Sequence, residues 1–160
     1  MYGGEGAILA AMGFLSFIWF VVFVVAYILK SLGISALAAN RGVENPWLGW
    51  VPVADLYLLG MLVGSMELFG VKVDKLEIIL PAAMVGGFVM SWIPFIGQLL
   101  WLALTVFFIV FVYKLFEMYT SNAILYTALS VLLLLLPIFL FIIRNNPPLL
   151  QPQNSNNTKY

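Results

Sequence analysis

Ala7-Ile8-Leu9-Ala10-Ala11-Met12-Gly13-Phe14-Leu15-Ser16-Phe17-Ile18-Trp19-Phe20-Val21-Val22-Phe23-Val24-Val25-Ala26-Tyr27-Ile28-Leu29 carries no charge and is closed by Lys30. A helix that crosses a bilayer needs about 20 predominantly apolar residues, and this stretch exceeds that. The small residues at Ala36-Leu37-Ala38 resemble a leader cleavage site. However, the residues ahead of the run hold Glu5 and no positive charge, and the run is longer than the roughly 7–15 apolar residues of a secretory leader. The stretch 7–30 therefore reads as a retained first membrane helix.

Composition extends that reading to the whole chain. Apolar residues make up 64% of the 160 and charged residues 9%, with a mean hydropathy of +1.08. A soluble domain averages about 45–50% apolar and about 25% charged, and a short chain leaves much of its surface wet. Seven Lys and Arg balance seven Asp and Glu, which gives no basic surface for nucleic acid. The chain has no Cys and no His, so disulfides, thiolate chemistry and the commonest metal ligand and general base are absent. No cofactor or metal site is expected.

Further spans follow from the first. Residues 31–41 either continue the first helix or lie along the interface, and Asn40-Arg41-Gly42 reads as a helix end. Asn45-Pro46-Trp47-Leu48-Gly49-Trp50 brings the chain back, with Trp47 and Trp50 placed like interfacial aromatics. Pro52 suits the first turn of a new helix, and a second span follows over about 50–66. Residues 67–77 hold five charges and read as a wet loop. The stretch 78–114 is too long for one crossing, since roughly 37 helical residues would measure about 55 Å. Trp92-Ile93-Pro94-Phe95-Ile96-Gly97 divides it into spans at about 78–93 and 98–113. After a polar turn over 114–122, the last span covers 123–143, with Pro137 expected to kink it and Arg144 to cap it.

The fold expected is an all-α integral membrane protein of about five transmembrane helices, or four plus a re-entrant segment if the short second span turns back. It forms one domain over 1–144, with a disordered polar tail over 145–160. Trp50-Val51-Pro52 followed by Leu58 is echoed by Trp92-Ile93-Pro94 followed by Leu100, which raises a pseudo-repeat of two hairpins. Counting basic residues near the spans puts four on one side and three on the other. That weak bias favours an outside N-terminus and a cytoplasmic C-terminus.

Few residues can carry chemistry. Asp55 lies one turn into the second span, and an intramembrane carboxylate invites a functional reading in ion or proton handling. The plainer alternative is that it complements the positive end of its helix dipole. Arg41 and Glu44 flank Gly42 and can pair with each other, dock a headgroup or dock a partner. Lys114 and Glu117, three apart, can pair at the end of the fourth span. Gly60 with Gly64, Ala82 with Gly86 and Ala83 with Gly87 have the spacing that lets membrane helices approach closely, within the chain or between copies. Asp55, Arg41, Glu44, Trp47, Trp50 and Pro52 are thus the candidate functional residues. No nucleophile has a base beside it and no metal cluster is present, so catalysis is not expected. A lipid-modifying role for Asp55, Arg41 and Glu44 is the one enzymatic alternative.

The stretch Arg41-Gly42-Val43-Glu44-Asn45-Pro46-Trp47-Leu48-Gly49-Trp50-Val51-Pro52, then Asp55 and Leu59-Gly60, resembles a pattern in small uncharacterised membrane proteins of Gram-positive, clostridial-type bacteria. The later Ile93-Pro94 break, Tyr113-Lys114-Leu115-Phe116 and the end near Arg144-Asn145 are similar to the same layout. The resemblance covers roughly residues 15–145 and implies a polytopic protein of the bacterial plasma membrane. Several of its members have an amide or another polar residue where this chain has Asp55, which implies that a proton-carrying carboxylate is dispensable. It implies no activity. The expected role is a non-catalytic accessory or scaffold subunit whose partners are the bilayer, other membrane subunits or a second copy of itself. The alternative is a small homo-oligomeric transporter or channel that uses Asp55 and the Pro-broken helices.

Overall fold

The computed structural model describes residues 3–68 and 70–150. It is helical: α1 (Gly3–Asn40), α2 (Ala54–Val63), α3 (Leu76–Met90), α4 (Ile96–Tyr119), α5 (Ala123–Leu133) and α6 (Leu136–Ile143). A short 3-10 helix (Pro46–Trp50) precedes α2. An antiparallel strand pair, β1 (Met66–Leu68) and β2 (Val71–Val73), joins α2 to α3. By length and composition, α1 and α4 are able to cross a membrane.

No proline interrupts α1, so it continues past Lys30 as one helix. It stops as expected at Gly42, whose φ of +65° suits glycine. The N–H groups of Gly42 and Val43 donate to the carbonyls of Ala39 and Ala38 and close the helix end.

The second span differs from expectation. Only ten residues of 50–66 are α-helical, about 15 Å or half a bilayer core. Proline bounds the helix at its start. Val51 ahead of Pro52 is extended, as the ring requires, so Pro52 lies in the turn before α2 and not in its first turn. Gly64 bounds it at the end with φ +77°. The expected loop over 67–77 is partly ordered, because Val71 and Val73 suit a strand and Gly70, at φ +83°, turns the chain.

The break at 91–95 falls where Pro94 predicts it. Beyond it, α4 runs on through Lys114 and Glu117, which pair at 2.7 Å and keep the helix going. The polar turn shrinks to 120–122. The segment 123–143, expected as one kinked helix, is two short helices folded against each other. Leu134 is left-handed at φ +55°, and Pro137 restarts the chain as α6. The rings of Tyr126 and Phe139 stack at 4.4 Å, whereas a continuous helix would hold them about 20 Å apart. Of the tail expected over 145–160, residues 145–150 return to α4: Leu149 N–H donates to the Met118 carbonyl at 2.7 Å. Residues 151–160 lie outside those described.

Contacts fix the directions of the helices. Arg41 donates to the Tyr119 hydroxyl and the Asn40 amide donates to the Arg144 carbonyl, so α1, α4 and α6 all end at one pole. Gly97 abuts Met90 and Ser91, and Gly87 abuts Leu104, so α3 runs antiparallel to α4. Gly60 of α2 meets Leu76 and Glu77 at the start of α3, so α2 runs toward the pole, as α1 does. That corrects the two-hairpin repeat, because α1 and α2 are parallel. The echo survives only locally. Val53 (φ 72°, ψ −41°) and Phe95 (φ 65°, ψ −51°) share one strained conformation directly ahead of α2 and α4.

The core occupies the polar half alone. Ile34, Leu37, Leu58, Leu62, Leu76, Phe111, Leu115, Phe116 and Leu140 are buried there. By contrast, every residue of α1 from 4 to 23 is exposed, as are Phe88, Trp92, Phe95 and Leu99 around the α3–α4 turn.

Candidate functional site

Where the packed half meets the apolar half, α1, α2, α3, α4 and α6 border a half-open cavity of about 430 Å³. Its walls are almost wholly apolar, formed by Leu56 and Leu59 of α2, Leu80, Ala83 and Met84 of α3, Trp101, Leu104, Phe107 and Phe108 of α4, and Leu136 and Leu140 of α6. The charged and hydroxyl groups on its lining are Lys30, Asp55 and Thr105.

Lys30 and Asp55 form an ion pair, with Lys30 Nζ 2.5 Å from Asp55 Oδ2. The partners differ in exposure: the Asp55 side chain is 7% exposed and that of Lys30 is 27%. The other Asp55 oxygen, Oδ1, accepts the Leu56 N–H at 2.9 Å. Pro52 and the strained Val53 start α2 so that Asp55 falls in its first turn, facing α1, and the Asp55 N–H donates to the Val51 carbonyl at 3.0 Å. On the opposite side, Lys30 lies over the Tyr27 ring, 5.2 Å from its centre, an attraction that adds to the ion pair. Tyr27 in turn donates its hydroxyl proton to the Trp50 carbonyl. This bond holds the 3-10 helix, and through it the start of α2, against α1. The Thr105 hydroxyl donates to the Trp101 carbonyl at 2.8 Å and keeps its lone pairs for a donor in the cavity.

Of the residues singled out from sequence, Asp55 and Pro52 line this cavity. The Trp50 side chain lies on the surface and only its carbonyl takes part. Trp47 is exposed, with its indole N–H on Asn45 at 3.4 Å. Arg41 turns to Tyr119 (3.3 Å) at the pole and not to Glu44, which is exposed. The packing glycines divide by role. A Cβ on Gly60 would collide with the backbone of Leu76 and Glu77, and one on Gly87 would meet Leu104. Gly64 ends α2, Ala83 lines the cavity, Ala82 is exposed, and Gly86 faces open space.

Lys30, Tyr27 and Thr105 were not singled out from sequence. Lys30 reads there as the end of a hydrophobic run, and only folding carries it to Asp55, 25 residues away. A usable signal existed, since Lys30 and Asp55 both sit within otherwise apolar segments and such charges rarely go unpaired. Among the described residues, no cluster of Asp and Glu is arranged to hold a metal ion. No family model, curated protein or solved structure matches the chain.

Proposed function

We propose that the chain is an integral membrane protein that works by binding, and that its cavity holds the apolar part of a single-chain amphiphile with its head at Lys30. The observation that carries this reading is the cavity itself, which combines apolar walls, one ion pair and one hydroxyl in a volume typical of small-molecule sites. Lys30 is the more exposed partner and has ammonium protons beyond the one facing Asp55, so an anionic head, carboxylate or phosphate, is favoured. Asp55 then neutralises and orients Lys30. The binding reading extends the transporter alternative, because release of the ligand on another side of the bundle would amount to carriage.

Native mass spectrometry of the protein in mild detergent, together with displacement of a fluorescent fatty acid, tests this. Ala83→Phe fills the cavity from one wall, so fatty-acid affinity should fall at least tenfold with the melting temperature kept. Unchanged binding in that variant, or equal affinity for a cationic amphiphile, would remove the proposal. A second reading, an accessory or scaffold subunit, is favoured by the unpacked first half of α1, which leaves one helix free for another membrane protein. A stoichiometric partner in a gentle-detergent purification supports it, and a lone or homo-oligomeric protein counts against it.

A further inference from the structure

We infer that only α1 crosses the bilayer, that the α3–α4 turn dips into one leaflet, and that every other loop lies on a single side. This inference concerns insertion and does not depend on a cavity ligand. It also departs from the alternation that five crossings would require.

Three independent observations support it. The first is the distribution of charge. Between Glu77 and Lys114 the chain has no charged residue, and before Lys30 only Glu5. Arg41 and Arg144 lie at the pole where α1, α4 and α6 end, with Lys114 and Glu117 in the last turns of α4. The strand pair and Glu77 lie on the same side of the cavity, because α3 begins there and runs away from the pole. Lys30 and Asp55 mark the boundary.

The second is length. Beyond Lys30, the apolar part of α1 is about 35 Å long, enough for a hydrocarbon core of about 30 Å. Measured from Thr105, which lines the same cavity as Lys30 and Asp55, α4 extends only about 15 Å to its start, half that thickness, although its uncharged stretch continues to Tyr113. The α3–α4 hairpin therefore reaches mid-bilayer and turns back.

The third is the turn itself. Irregular backbone facing lipid is excluded unless its polar groups are met internally, and here they largely are. The N–H groups of Ser91, Ile93, Ile96 and Gly97 all donate within the hairpin, Pro94 has none, and the Ser91 hydroxyl donates to the Phe88 carbonyl. Trp92 and Phe95, 81% and 79% exposed, are its outermost side chains. A turn that is apolar apart from Ser91 and the exposed Gln98, with its backbone largely met internally, is better suited to acyl chains than to water. The α5–α6 turn, with Leu134 83% exposed, sits at the level of the cavity that Leu136 lines.

One consequence concerns orientation. All seven basic residues follow the first apolar run, so a one-sided arrangement places the described ones together. The bias that alternation reduced to four against three becomes decisive for a cytoplasmic bundle and an outside N-terminus.

The chain has no native Cys, so single cysteines can be read directly in sealed vesicles with a membrane-impermeant maleimide. Glu44→Cys, Val71→Cys, Ser121→Cys and Asn145→Cys should all label from one face, and Gly4→Cys from the other. Trp92→Cys should label from neither face, yet react with a lipid-soluble maleimide. Labelling of Val71→Cys and Ser121→Cys from the face opposite Glu44→Cys would overturn the inference in favour of alternation. Labelling of Trp92→Cys from the Gly4 face would overturn it in favour of a full crossing by α3 and α4. Because each site is exposed, size-exclusion elution matching the parent protein serves as the folding control. Phe95→Cys provides a second reading of the turn should Trp92→Cys fail that control.

Discussion

At the scale of the residue, the Lys30–Asp55 pair is asymmetric and its variants should be too. Lys30→Met leaves a nearly buried carboxylate without its partner and should cost about 3 kcal/mol. Asp55→Leu leaves a lysine that is already 27% exposed and can swing its ammonium outward, so the loss should be nearer 1 kcal/mol. The double variant should recover most of the difference, since an apolar pair of similar volume fits the same walls. Thermal melts of the four proteins in one detergent decide this, and equal losses for the two single variants would mean that both partners are equally wet. Val53 offers a second residue-scale check. A β-branched residue at φ 72° is strained, so Val53→Gly should raise stability by about 1 kcal/mol despite glycine's extra freedom in the unfolded chain. Asp55 could be picked out from its sequence surroundings, whereas Val53 could not, because its strain follows from the turn and not from its own type.

At the scale of the element, α1 crosses α6 closely. A Cβ at Gly33 would come within 2.7 Å of the Leu140 backbone, so the approach depends on that glycine. Gly33→Val should cost about 2 kcal/mol or more through overpacking and should loosen α6 before α4. Hydrogen exchange at the amides of α6 should rise in that variant while those of α4 change little. Gly33 was not among the glycines marked by spacing, because its partner is a backbone and not a second small residue one turn away. The prolines were uneven markers. Pro94 gave the α3–α4 turn, Pro81 lies inside α3, and Pro137, expected as a kink, stands at the start of α6. What Pro137 did not indicate was how far the chain would bend there, since a proline permits a kink or a reversal and the Phe116, Tyr126 and Phe139 rings decide between them.

At the scale of the whole molecule, packing is confined to one half, and phenylalanines test this directly. Phe116 is fully buried among Tyr126 and Phe139, and Phe116→Ala should cost about 3–5 kcal/mol. Phe20 lies on the free half of α1, 63% exposed, and Phe20→Ala should change stability by about 0.5 kcal/mol or less. Comparable losses at the two positions, measured by denaturant titration in the same micelles, would mean that the free half of α1 packs after all.

Sequence by itself determined the helical class, the apolar run over 7–29, the helix end at Gly42 and the break around Pro94. Each of these depends on local properties: the length of a run, a ring that fixes φ, or a residue without a side chain. Only the tertiary structure decided that Lys30 meets Asp55, that α2 is half a span, and that 123–143 doubles back to leave its ends at one pole. The physical reason is that a hydropathy pattern records how apolar a segment is, and lipid and a protein core accept the same side chains. Whether such a segment crosses, dips or packs depends on which surfaces meet, and that is settled between helices distant in the chain.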